Sequence, residues 1–148
     1  MYRAQLEEYL ERYSGESGEK LTVRAFGDGD EIALNYRPEY DIIFMDIQMK
    51  YMDGMTAAAE IRKVDDEVVI IFITNMTQYA IRGYAVDALD FVVKPVSYYA
   101  FSQCIDRAIS RMRRRARRFL YVVGRNGGQR AGAAGCPWRP FWWRCVRI

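Results

Sequence analysis

Histidine is missing from all 148 residues of the chain. That absence excludes imidazole acid–base catalysis, Ser-His-Asp triads and most zinc hydrolases. Cysteine is scarce. Cys104, Cys136 and Cys145 form no CxxC pair and are odd in number, so neither a disulfide framework nor a zinc site is expected. Long hydrophobic runs are lacking too. The longest, VVIIFI at 68–73, is far too short to span a bilayer, and Met1 leads into a charged, helix-like segment rather than a signal peptide. A soluble, cytoplasmic protein with no membrane partner is the expectation. Acidic residues are absent from one region only. All 19 lie within residues 1–106, whereas 107–148 holds 12 arginines and no acid, so the net charge of +3 hides a compositional boundary near 107–118.

Apolar residues make up 51 % of the chain, enough to bury the core of one domain. Tyr2, Leu6, Tyr9, Leu10 and Tyr13 recur at helical spacing and predict an amphipathic helix starting almost at Met1. LTVRAF (21–26) alternates like a strand. Asp28 or Asp30 can cap a short helix that runs to about Tyr36, ahead of the break at Arg37-Pro38. DIIFM (41–45), VVIIFIT (68–74) and LDFVV (89–93) read as strands buried on both faces, which belong to parallel sheets. Residues 55–64 and Tyr79–Gly83 read as helices between them. Phe101, Cys104, Ile105, Ala108 and Met112 form the stripe of a long final helix. No segment repeats. The alternation of strand and helix predicts an α/β fold with a doubly wound parallel sheet.

In such sheets the loops at the carboxyl ends of the strands build the site. Three of those ends carry polar groups: Asp46, Thr74 and Lys94. Each alone has an ordinary reading, as a turn or cap, a β-former at a strand end, and a residue held extended by the next proline. Together they carry chemistry. A carboxylate can attack phosphorus and hold an acyl phosphate. An ammonium can neutralise phosphoryl oxygens, and a hydroxyl can donate to one of them. Mg²⁺ normally completes such a set, held by carboxylates, carbonyls and waters.

The segments FMDIQM, IIFITN and DALDFVVKPV resemble the phosphoacceptor strand, the hydroxyl-bearing strand and the Lys-Pro segment of response-regulator receiver domains from two-component systems. YAIRGYAVDALDFVVKPV is similar to receivers joined to LytTR-type DNA-binding domains. The resemblance implies a flavodoxin-like receiver over residues 1–118. It makes Asp46 the phosphoacceptor, the Gln48 carbonyl a Mg²⁺ ligand beside Asp46, Thr74 and Lys94 the phosphoryl contacts, and Phe91 an aromatic switch. A sensor histidine kinase is the implied partner, a homodimer is allowed, and DNA is reached only through a further domain. Gly54 belongs to the loop after the acceptor. Lys50 there replaces the family's usual proline.

A larger departure lies at the front. The family opens with a central strand ending in two acids, whereas here the first helix begins at Tyr2, so the fold is expected to miss its first strand and the domain to be N-terminally truncated. Asp28 and Asp30 are expected to cap, and Asp53 to sit in a loop. With one carboxylate left, Mg²⁺ and phosphorylation should both be weak. Burial of four apolar residues in that strand would contribute about 6–12 kcal/mol. Without it, strands 21–26 and 41–45 must close on each other, leave a groove, or borrow a strand from another molecule. RMRRRARR (111–118) reads as a solvated helix end or a phosphate-binding patch. FLYVV and GRNGGQR resemble the opening hairpin of a LytTR domain. Residues 119–148 are expected to be an irregular remnant, a frameshifted reading, with membrane or single-stranded nucleic-acid binding as the alternative. Two further functions stay open: a phosphorylation-impaired interaction module or truncated product, and a haloacid-dehalogenase-like phosphatase. The phosphatase needs an aspartate where Gln48 stands.

Overall fold

The computed structural model describes residues 2–116 and 144–147. Helix α1 (Tyr2–Ser17) opens the chain. Leu6, Leu10 and Tyr13, one turn apart, are its buried stripe. Gly18 stops it with φ 71°, and its N–H donates to the Ser14 carbonyl at 3.0 Å, a left-handed cap that glycine adopts without a Cβ penalty. Strand β1 (Leu21–Arg24) follows and is shorter than the alternating run that signals it. The short helix α2 (Gly29–Ala33) is capped by Asp28, whose side chain accepts from the Gly29 N–H.

Strands β2 (Ile42–Met45) and β3 (Val69–Thr74) are buried along their whole length. Their side chains alternate between two cores. Ile42, Phe44, Val69, Ile71 and Ile73 meet α1 and the last helix, α4 (Tyr98–Ala116). Ile43, Met45, Ile70 and Phe72 meet α2 and helix α3 (Gly54–Arg62). Apolar contact on both faces is why these runs do not alternate with polar residues. The expected helix at 79–83 is instead two 3-10 segments, Thr77–Tyr79 and Ile81–Val86. Strand β4 (Asp90–Val93) is only partly buried, against the fully buried strand expected, because it lies at the sheet edge. The stripe of α4 is as read: Phe101, Cys104, Ile105 and Ala108 are buried, and the Phe101 ring packs on Phe44 at 5.0 Å between centroids.

The sheet overturns one expectation. A fifth strand, β5 (Arg144–Arg147), comes from the stretch expected to be irregular. The order is β1-β5-β2-β3-β4, with every pairing parallel. Strands β1 and β2 neither close on each other nor leave the central position empty. The same chain supplies the strand, with Thr22 opposite Cys145 and Ile42 opposite Val146. Backbone pairing needs only an extended segment of the right length, and a slot between two strands satisfies N–H and C=O groups on both its sides. The last two arginines of the basic run, the hairpin expected from FLYVV onward and the Trp-rich stretch up to Trp143 lie outside the described residues.

Candidate functional site

Strand β2 ends at Met45, and the next residue, Asp46, leaves the sheet at its carboxyl edge. Lys94 follows β4 in the same way. Its Nζ donates to Asp46 Oδ2 at 2.5 Å, and both side chains keep part of their surface in solvent, 18 % for the lysine and 30 % for the aspartate. The other carboxylate oxygen, Oδ1, accepts from the Gln48 N–H at 3.1 Å. The Lys94 N–H donates to the Thr74 carbonyl at 3.1 Å, tying the lysine to the end of β3. The Thr74 side chain is fully buried, and its hydroxyl accepts from the Met76 N–H at 3.2 Å. Asp46 and Lys94 thus meet directly. Thr74 stands on the strand between them, with its oxygen engaged by its own turn.

The loop after Asp46 is held from two directions. Gly54 N–H donates to the Ile47 carbonyl at 3.0 Å, and a Cβ at Gly54 would collide with the Asp46 carbonyl oxygen, so only glycine lets α3 begin there. Asp53 is the N-cap of α3, accepting from the Met55 and Thr56 N–H groups, both at 3.0 Å. Asp28 does more than cap α2. Its carboxylate also accepts from the N–H groups of Lys50, Tyr51 and Met52 at 2.9, 3.0 and 2.9 Å. Burial pushes the Asp28 carboxyl up, but the bonds from Met52, Tyr51, Gly29 and Lys50 together hold it below the usual carboxylate range. Composition marks Asp28 as a turn residue; nothing local announces the clamp across to residues 50–52. Asp30 Oδ1 is buried with no hydrogen-bond partner among the described residues.

A cavity of about 250 Å³ opens beside Asp46 and Lys94, with Phe26, Phe44 and Met45 in its apolar wall and Arg3 also among its lining residues. A cation there would need free carboxylates. Both Asp46 oxygens, the Asp28 carboxylate and the Asp53 cap are already engaged. Among the described residues no cluster of three or more His, Cys, Asp or Glu is placed to hold a metal ion. The described residues do not by themselves make up a divalent-metal site. Phe91, half-buried on β4, packs its ring on Phe72 at 6.2 Å between centroids.

Comparison with known proteins gives a consistent likeness. The family described as response regulator receiver domain matches residues 2–106. The chain is 27 % identical over 111 residues to an uncharacterized response regulatory protein of Vibrio cholerae, covering 74 % of this chain and 42 % of that one. It is 38 % identical over 68 residues to the sensory transduction protein LytT of Bacillus cereus, 46 % of this chain and 27 % of that one. It is 32 % identical over 69 residues to the transcriptional regulatory protein LytR of Staphylococcus aureus, 47 % of this chain and 28 % of that one. The chain therefore spans less than half the length of these curated relatives. Among solved structures, the non-phosphorylated HemR receiver domain of Leptospira biflexa superposes with a TM-score of 0.60 at 24 % identity, over 72 % of this chain and 87 % of that one. That likeness carries the fold.

Proposed function

The chain belongs to the response regulator receiver family, a signalling family whose members generally bind Mg²⁺ at an acidic pocket, and from that premise we propose that Asp46 is its phosphoacceptor. The observation that carries the reading is the Lys94 ammonium on Asp46 Oδ2 at the carboxyl edge of the sheet. In the proposed step a carboxylate oxygen of Asp46 forms a bond to phosphorus, and the bond from phosphorus to the donor breaks. The donor is a phosphohistidine of a sensor kinase, and its imidazole nitrogen leaves with the electron pair of the broken P–N bond. Lys94 then moves its contact from the carboxylate to the phosphoryl oxygens, where a fixed positive charge lowers the barrier. The Thr74 hydroxyl accepts from the Met76 N–H and keeps its own O–H to donate to a phosphoryl oxygen. Phe91 is the residue whose packing on Phe72 we expect to change, altering the face that β4 and α4 offer to a partner.

The LytTR-type relationship and control of transcription rest on the likeness to the transcriptional regulatory protein LytR and the sensory transduction protein LytT and on a further domain, with DNA and a homodimer as the partners that reading allows. A cytoplasmic location goes with it. What remains for Mg²⁺ at this site is the Asp46 carboxylate and the Gln48 carbonyl, so we expect weak binding and route no step through the metal. The engaged carboxylates also favour a second reading, an interaction module that is phosphorylated poorly or not at all. A phosphatase of the haloacid-dehalogenase type is disfavoured by Gln48.

Acetyl phosphate supplied with Mg²⁺ separates the readings by intact mass. An adduct of about 80 Da on the parent and none on Asp46→Asn supports the acceptor. No adduct on a folded parent supports the interaction module.

A further inference from the structure

We propose that the slot between β1 and β2 is a strand-docking groove, occupied in cis by the chain's own segment Arg144–Arg147 as a releasable strand rather than a fixed part of the core. The pairing pattern carries this. Among the described residues strand β1 has no partner in the sheet except β5, across four residue pairs from Leu21 to Arg24. Among the described residues strand β5 is joined to the body of the sheet through two pairs, Ile42 with Val146 and Ile43 with Arg147. Strand β3, in contrast, is paired over four residues on each side. Among the described residues the attachment of β5 to β2 is thus the narrowest seam of the sheet, and β1 depends on it.

Beyond Ile43, the last described pair on β2, the cavity beside Asp46 is lined by Phe44 and Met45, and by Phe26 and Gly27 after β1. A slot of this kind recognises extended backbone through the main-chain groups on its two edges. Residues 117–143 connect α4 to β5. A chain of that length reaches roughly 90 Å when extended, so β5 can leave without moving α4. Loop-closure cost grows only slowly with length. The tether holds the segment near the slot at a high effective concentration, which favours the chain's own strand over one from a second copy. Release would free β1 and uncover the edge of β2 that leads directly to Asp46. None of this depends on the phosphoacceptor reading.

The register supplies the test. Thr22 and Cys145 are opposite each other, and Thr22 is exposed. Neighbouring strands lie about 4.8 Å apart, within the Cα range of about 4.4–6.8 Å that a disulfide spans. In the full chain carrying Cys136→Ser, Thr22→Cys is oxidised at low micromolar concentration. Leu21→Cys, whose side chain points to the opposite face, serves as the control. We expect a covalent monomer with the bond mapped between position 22 and Cys145, and none from the control. Hydrogen exchange on the unsubstituted protein is the second readout, free of any folding defect in a variant. Amides of residues 22–24 should exchange at least tenfold faster than those of Ile70–Phe72, and oxidation of the Thr22→Cys protein should slow them. A covalent dimer would assign the slot to a second copy. Absence of any bond to Cys145 would remove the segment from the slot. Equal, slow exchange at β1 and β3 would make β5 a fixed core strand. Each of these results overturns the proposal.

Discussion

Gly54→Ala tests how the loop after Asp46 is built. The added Cβ would overlap the Asp46 carbonyl oxygen and stand 3.0 Å from the Asp46 carbonyl carbon and from Ile47 Cα. All three are backbone atoms, so no side chain can rotate away. Relief requires α3 to back off from the end of β2. That movement stretches the bond from the Gly54 N–H to the Ile47 carbonyl and disturbs the Asp53 cap on Met55 and Thr56. Overpacking of this kind costs about 1–3 kcal/mol, and a damaged N-cap adds about 0.5–2. The lower backbone entropy of alanine in the unfolded chain returns about 0.5–1. The expected net loss is about 2–3 kcal/mol, a large fraction of a domain's usual 5–15, read as a lower urea midpoint at unchanged slope. Gly15→Ala on α1, where an added Cβ meets nothing within 4 Å, should be neutral or slightly stabilising. If the Gly54 variant unfolds within about 0.5 kcal/mol of the parent, close approach of α3 to Asp46 does not constrain the site, and the account of the loop fails.

Lys94→Ala should cut the acetyl-phosphate adduct roughly 10–100-fold while leaving the far-UV spectrum unchanged; an adduct at the parent level would remove the lysine from the phosphoryl contacts. Asp28, Asp53 and Asp90 are all held below the ordinary carboxylate range in the folded chain. Their contribution is therefore present above the unfolded value near pH 4 and lost as pH falls through their lower folded values. Urea midpoints should drop below about pH 4, and less steeply in Asp28→Asn. Burial and the bond to Asp90 push the Cys104 thiol up to about 12 from 9.0. Its share of stability is complete below pH 9 and is lost as pH rises from there towards 12, so a thiol reagent should modify Cys104 only when the fold opens. Tyr13→Phe removes a 2.6 Å bond from the phenol to Asp106 between α1 and α4 and should cost about 1 kcal/mol by urea titration.

The parts of the site that were legible lie where local pattern meets a strand end. DIIFM and VVIIFIT announce strands covered on both faces because their apolar runs are unbroken, and Asp46, which follows the first, and Thr74, which ends the second, inherit positions at the carboxyl edge. Lys94 is placed by the same logic. That its ammonium rests on Asp46 depends on strand order, since 48 positions separate the two residues. The reach of Asp28 to residues 50–52 was hidden for a similar reason: a side-chain carboxylate binding backbone amides leaves no mark on the residues that supply them. The bonds from Arg62 to the carbonyls of Val86, Asp65 and Asp87 likewise leave no mark on the residues that accept them.

The sequence by itself determined the parallel α/β class, the amphipathic helices α1 and α4 and the polar groups at the strand ends. Periodicity and burial are properties of short segments. Only the tertiary structure decided that Arg144–Arg147 lies between β1 and β2, because a backbone ladder accepts almost any extended segment and its place depends on which slot the other elements leave open. It also decided that, among the described residues, the carboxylates of Asp46 and Asp28 are engaged by an ammonium and by amides instead of gathered for a cation, since those contacts join residues far apart in the chain.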